Sequence, residues 1–307
     1  MNFRKIAKTL WRPLRAQIIA KADMQRAKEE ILLRTDLSEN ERAILGSLEL
    51  EIHGNDSMYV SFHGSHYLEV GLSAGRCILD VLHEINISVK NIKKILDFPC
   101  GYGRVLRFLQ AVFPGAEITG ADRDLMALGF CQSRFDIQTF SPSIKNKTAE
   151  FEKKYDLIWC GSLITHLPQD EISTLLEFFY ESLEPGGLCI FSTHGDLIAE
   201  VIKNKPRTYR LSNNQGLRIY DDYKNSGYGF GSYGKDPNYG ISVVSPEKMT
   251  LIASGIGNWS PVYCKPRMWD NHHDIYAYRK NDAAFECYKK ATELGNAHVQ
   301  NEMGRMY

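Results

Sequence analysis

The feature that most constrains this chain is Ile95-Leu96-Asp97-Phe98-Pro99-Cys100-Gly101-Tyr102-Gly103-Arg104, an apolar run that ends in an acid and breaks into a loop with two alternate glycines. A short apolar run closed by turn residues reads as a buried strand, and Val105–Val112 behind it reads as a helix. Strand, tight loop and helix in that order open a parallel α/β unit, because parallel strands need crossovers on the sheet's faces. Glycines at 101 and 103 let the backbone approach a ligand, although a bare Gly-x-Gly also serves turn geometry alone.

The rest of the pattern agrees. Ala116–Ala121 supplies a second strand, Tyr155–Cys160 a third clear one and Leu188–Thr193, introduced by Pro185-Gly186-Gly187, a fourth, with a helix at Glu171–Leu183. A weak strand is expected around Phe135–Phe140, and Pro261–Cys264 and Asp274–Arg279 read as the last two. Strands alternating with helices predict a Rossmann-like, doubly wound, mostly parallel sheet with ligand at the strands' carboxyl ends.

Asp122 ends the second strand 19 residues after Gly103. Rossmann-type folds place a carboxylate there to accept ribose hydroxyls; the alternative role is an N-cap for Leu125–Phe130. A dinucleotide fingerprint wants a third glycine and Leu106 occupies that place, which disfavours a nicotinamide cofactor.

Together with Tyr155–Leu163 and the Pro185-Gly186-Gly187 turn, these residues resemble the class I S-adenosylmethionine-dependent methyltransferases, over about residues 90–200 and more weakly to 280. The resemblance implies an α/β sheet of about seven strands with helices on both faces and an antiparallel edge. It implies S-adenosylmethionine as cofactor, with Asp97 orienting the methionine amino group. Phe98, Pro99, Cys100, Gly101, Tyr102 and Gly103 would lie against the cofactor, Asp122 and its neighbour Arg123 at the ribose, and Gly161 and Ser162 beyond the third clear strand. Pro99 departs from the family's usual glycine, removing an N–H and stiffening the loop. Where many members carry an acid for the adenine amino group, Thr139-Phe140-Ser141-Pro142 stands, so Ser141 is the nearest candidate.

The activity so implied is methyl transfer to a hydroxyl or amine of a small molecule or glycan; the alternative is a non-catalytic module that binds the cofactor or a partner. The wording Asp-Phe-Pro-Cys-Gly-Tyr-Gly-Arg is similar to that of members modifying sugars or small metabolites. No aromatic-flanked Asn/Asp-Pro-Pro tetrad of nucleic-acid methylation appears, since Cys160-Gly161-Ser162-Leu163 stands in that place. Displacement on an activated methyl can draw about 7–11 kcal/mol from positioning alone, and a base is needed only when a hydroxyl must lose its proton. His166, His194 and His273, each near an expected strand end, are the candidate bases. Their structural alternatives are a helix start for His166 and a braced turn for His273. Asp221-Asp222 reads as a solvated turn, and no metal is expected.

Composition limits the partners. Lys+Arg 37 balance Asp+Glu 37 across 307 residues, so no global field exists to collect nucleic acid. Seven scattered cysteines without a C-x-x-C pair read as reduced thiols in a cytoplasmic protein. No apolar run is long enough to span a bilayer. Arg4, Lys5, Lys8, Arg12 and Arg15 with Ile6, Leu10, Leu14 and Ile18 on one helical face could touch a membrane surface, but Pro13 interrupts the stretch and a packed arm is the favoured reading.

Residues 1–60 are expected as an N-terminal helical cap, with an N-cap within 36–42 before Ala43–Leu50. Residues 61–280 are the cofactor-binding domain, with a helix over 67–85 and an insertion at 200–240. Ser226–Gly240, rich in Gly and Tyr, is expected as a mobile lid, and Ser245-Pro246 opens a short helix that Gly255 closes. Residues 281–307 resemble the opening of a Sel-type repeat, a tetratricopeptide relative, and are expected as a helical hairpin that contacts this domain or a second protein.

Overall fold

The computed structural model describes residues 3–142, 153–234 and 236–282, with side chains from residue 17 onward. The expected hairpin at 281–307 lies outside them from residue 283. The described chain forms α1 (Phe3–Leu32), α2 (Glu39–Ser47), α3 (Gly64–Glu84), β1 (Lys94–Asp97), α4 (Leu106–Val112), β2 (Glu117–Ala121), α5 (Leu125–Phe135), β3 (Gln138–Phe140) and β4 (Tyr155–Cys160). It continues through α6 (Gln169–Ser182), β5 (Leu183–Thr193), α7 (Asp196–Asn204), α8 (Asn213–Ser226), β6 (Tyr228–Ser232), β7 (Gly240–Val244), α9 (Pro246–Ser254), β8 (Trp259–Trp269) and β9 (His273–Lys280).

Seven strands form one sheet in the order β3-β2-β1-β4-β5-β9-β8, parallel except where β9 runs antiparallel to both β5 and β8. The strand order reverses direction at β1 and β4, which opens a crevice at their carboxyl ends. Alternation along the strands divides the core: Ile95, Leu157, Ile190 and Ile275 face α1–α4, while Leu96, Ile158, Phe191 and Tyr276 face α6 and α9. Pro185-Gly186-Gly187 lies inside β5 as an irregularity, with Gly186 at φ +79°.

The N-terminal helices belong to this core. Met24, Ala27 and Ile31 of α1 and Leu45 of α2 pack with Leu68 and Ile78 of α3. A capping box, Ser38 with Glu41, starts α2 at Glu39, four residues earlier than the apolar pattern suggested. The helix α1 also runs through Pro13. Arg107 of α4, only 1% exposed, ties this arm to the glycine loop: its guanidinium donates to the carbonyls of Gly103, Glu49 and Glu51 at 3.0, 2.7 and 3.3 Å.

The largest departures fall between 196 and 244. The insertion holds two helices, α7 and α8, and Asp221 and Asp222 are exposed on α8 rather than in a turn. The segment expected as a mobile loop is an antiparallel hairpin, β6 with β7. Its glycines permit close packing: a Cβ at Gly229 would stand 2.1 Å from the Ile219 carbonyl oxygen of α8, and one at Gly240 would stand 2.0 Å from that of Gly231. The weak third strand is shorter than expected because Phe135 ends α5, and Ser245 caps α9 as the sequence suggested. Among the described residues, no helix is long and apolar enough to cross a membrane.

Candidate functional site

The crevice at β1 and β4 is a cavity of about 850 Å³, lined by Phe98–Tyr102 after β1, Asp122 and Arg123 after β2, and Gly161–Leu163 after β4. That volume lies within the range of about 300–1,000 Å³ typical of small-molecule sites. Gly101 and Gly103 take φ of +49° and +81°, the left-handed region where glycine costs least. A Cβ on Gly103 would also meet the Phe135 ring at 2.4 Å. The Cys100 N–H bonds the Ala121 carbonyl at 3.0 Å, pinning this loop to β2.

Asp97 ends β1 at 1% exposure, and neither carboxylate oxygen has a hydrogen-bond partner among the described residues. Burial pushes its pKa well above the usual carboxylate range, and the nearby charge of Asp122 adds to the rise. A buried charged carboxylate without a donor is costly, which favours the neutral form until a donor or a cation meets it. Asp122 accepts from the N–H of Gly101 at 2.8 Å on one oxygen and of Asp124 at 2.9 Å on the other. Each of those oxygens keeps a free lone pair. The helix cap is Asp124, which accepts from Met126 and Ala127, so the capping alternative for Asp122 fails.

Not every expected residue reaches the cavity wall. Asp97 and Gly103 stand behind it, and Ser141 is exposed beyond β3, outside the lining. Asp56 and Met58 from the segment before α3 and Trp269 also line it, with no local signal to mark them, as do Asp236, Asn238 and Tyr239 of the hairpin tip, within the stretch expected as a lid. Ser162 holds φ +58°, unusual for serine, with its N–H on Ser192 Oγ at 2.8 Å.

His166, in a 3-10 turn after β4, lines this cavity too. Its Nδ1 lies 2.7 Å from the Gly240 carbonyl, which can only accept, so Nδ1 carries the proton and Nε2 keeps a lone pair. Tyr239 stacks on the ring at 5.1 Å. Burial lowers the His166 pKa, leaving the imidazole neutral at pH 7. It does not start α6, whose cap is Pro168.

The other two candidate bases, His194 and His273, lie together in an adjoining cavity of about 240 Å³ with His272, which no local signal in the sequence marks. The three histidines offer ring nitrogens within 4.8 Å of one another. Burial and the neighbouring imidazoles push His194 down to about 3 and His273 lower, so both are neutral. The two cavities share Arg104, Ser162, His166 and Trp269.

Residues 96–189 match the family model of a methyltransferase domain. The chain is 28% identical over 106 residues to the ubiquinone biosynthesis O-methyltransferase of Proteus mirabilis, a stretch that is 33% of this chain and 42% of that relative's length. Among solved structures it is similar to the 1,6-didemethyltoxoflavin-N1-methyltransferase of Burkholderia thailandensis, at 13% identity and TM-score 0.48, covering 70% of this chain and 80% of that one. It is also similar to the magnesium protoporphyrin IX methyltransferase of Synechocystis PCC 6803, at 14% identity and TM-score 0.47, covering 73% and 89%.

Proposed function

We propose that this chain, through the methyltransferase domain matched at 96–189, binds S-adenosylmethionine in the larger cavity and transfers its methyl group to a hydroxyl or amine of a small molecule or glycan. The observation that carries this reading is the Asp97 carboxylate, buried and without a partner beside a cavity of about 850 Å³. An ammonium group is the natural complement of such a carboxylate. When bound, S-adenosylmethionine supplies that ammonium, two ribose hydroxyls and a methyl already activated on sulfur.

The chain's residues divide the work. Asp97 receives the ammonium and Asp122 the ribose hydroxyls, through lone pairs that its two amide donors leave free. The left-handed glycines bring the backbone close enough for contact, and Phe98, Cys100 and Tyr102 close the apolar wall. The hairpin tip, through Asp236, Asn238 and Tyr239, bounds the cavity. For a hydroxyl acceptor, His166 Nε2 takes the proton, its tautomer held by the Gly240 carbonyl.

The test joins binding to transfer. Calorimetric titration should show S-adenosylmethionine binding the parent and binding Asp97→Asn at least tenfold more weakly, a loss of about 1.4 kcal/mol or more. Methyl-labelled cofactor incubated with fractions of small molecules and glycans should pass label to at least one of them. Binding without any transfer across those fractions would leave a non-catalytic module.

A further inference from the structure

We propose that the smaller cavity receives an anionic group, a carboxylate or phosphate, carried by the methyl acceptor, and that Arg104 holds it beside the rings of His194 and His272; this rests on reading the larger cavity as the cofactor site. Arg104 lines both cavities and is largely removed from water. Its guanidinium has no hydrogen-bond acceptor or ion-pair partner within bonding distance among the described residues; the face of Tyr67 meets it at 5.9 Å, and the carboxylates of Asp56 and Asp270 act on it only from farther off. Its N–H donors therefore face the cavity with no protein acceptor and are open to one that arrives from outside. A planar guanidinium matches a carboxylate or phosphate with two parallel hydrogen bonds.

The histidines repeat the pattern. His194 and His273 are 4% and 7% exposed, and the Nδ1 of each is buried with no partner. His272 Nδ1 lies 2.8 Å from the Asp270 carbonyl, so its proton is committed there and Nε2 presents a lone pair, which can accept only from an O–H such as that of a hydrogen phosphate. The titratable groups lining the cavity are one carboxylate, Asp270, one guanidinium, four imidazoles and the Tyr209 phenol.

Three imidazoles within 4.8 Å also suggest a metal ion, and two features decide against it. The rings of His194 and His273 stack at 4.9 Å and 10°, so their in-plane lone pairs run in near-parallel planes and do not converge, as a tetrahedral ion with bonds of about 2.0–2.1 Å requires. The unpaired charge of Arg104 on the same cavity also repels a second cation and attracts an anion. The shared wall sets a group held here beside His166, where the acceptor's reacting atom must stand, whereas Asp97 and Asp122 belong to the β1–β2 end.

The full chain saturated with S-adenosylhomocysteine is titrated with inorganic phosphate and, separately, with benzoate, while histidine ring protons are followed by nuclear magnetic resonance. Both anions should move one shared set of ring signals saturably. Arg104→Gln should weaken that binding about tenfold to a hundredfold, the loss expected when a charge-assisted pair is removed, and leave S-adenosylhomocysteine affinity unchanged. Arg104→Lys, which keeps a cation at the position without the planar fork, should recover part of that binding and guards against a misfolded Arg104→Gln variant. Equal anion affinity in Arg104→Gln and the parent overturns the proposal. So does a matching loss of S-adenosylhomocysteine affinity, which would assign Arg104 to the cofactor's own carboxylate. Stoichiometric uptake of zinc chloride that moves all three histidines would make the cavity a metal site instead. If the parent fails to bind S-adenosylhomocysteine, the cofactor reading falls separately, and the anion titration of the unloaded protein still decides this one.

Discussion

The two ends of the crevice are built in opposite ways. At the β1–β2 end, Asp97, Gly101, Gly103 and Asp122 come from one strand–loop–helix–strand unit, and their placement follows from local backbone geometry. At the β4–β5–β9 end, His166, His194 and His272 come from separate segments, and His166 gains its role from Gly240, 74 residues away. A local unit can position a ligand with few contacts, whereas an assembled one depends on everything packed behind it. Substitutions at the first end should therefore change cofactor affinity alone. Those at the second should change turnover and stability with cofactor affinity kept.

The largest expected effect lies at the assembled end. With a hydroxyl acceptor, His166→Gln should lower turnover by about 10²–10⁴ while calorimetry shows unchanged cofactor affinity. The pH profile carries a second signature. Burial lowers the His166 pKa, so its neutral, proton-accepting form persists below the ordinary histidine value, and activity should fall only as pH drops through that lowered value. Full turnover in the variant would reduce catalysis at this end to positioning.

At the local end, Asp122→Ala should weaken cofactor binding about tenfold to a hundredfold, by removing charge-assisted contacts of about 1.5–3 kcal/mol, without altering the acceptor dependence of the rate. Asp97 adds a proton linkage. Its pKa is raised in the free protein, and a bound ammonium favours the charged form. Binding then releases a proton, and affinity should rise with pH above the ordinary carboxylate range, by up to about tenfold per unit, until the raised value is passed. Affinity independent of pH there would remove Asp97 from the ammonium's reach.

The same contrast explains what could be read from the sequence. β4 begins and ends at the residues its apolar run marks, and the glycine loop is recognisable because left-handed φ and close approach restrict the residue type. The hairpin could not be read that way. Gly229, Gly231 and Gly240 look like flexibility in one dimension, yet each admits a neighbour distant in sequence: Ile219 for the first two, and Gly231 across the strands for the third. His272 was equally hidden, because nothing local distinguishes it from a turn residue; only the return of β9 beside β5 sets His273 against His194. Ser141 follows β3 directly, and its exposure shows that a place in the chain does not fix a place in the cavity.

A packing substitution tests that reading of the hairpin. Gly229→Ala places a Cβ 2.1 Å from the Ile219 carbonyl oxygen, a backbone atom that cannot swing aside. Overpacking of this kind costs about 1–3 kcal/mol, so the melting temperature should fall. Because β7 carries the Gly240 carbonyl that orients His166, turnover should fall as well while cofactor affinity stays at the parent value. A variant as stable as the parent would show that the hairpin is loosely held, as a mobile lid would be.

The smallest expected effects compare two capping boxes, one at each end of the molecule. Ser38 with Glu41 starts α2 in the N-terminal arm, and Ser212 with Gln215 starts α8 behind the hairpin, each serine accepting its helix's third-residue N–H. Replacing either serine by alanine should cost about 1 kcal/mol, because one N-terminal amide loses its acceptor. The functional outcomes should differ. Behind Ser38 stand α3 and α4 with the glycine loop, which Arg107 holds independently through three carbonyls, so Ser38→Ala should leave cofactor affinity and turnover alike. Behind Ser212 stands Ile219, the residue against which Gly229 and Gly231 pack, and any fraying of α8 reaches Gly240 and then His166. Ser212→Ala should therefore lower turnover by a small factor at equal loss of stability, measured by denaturant unfolding beside steady-state rates. Equal turnover in the two variants would mean that the hairpin holds His166 without support from α8.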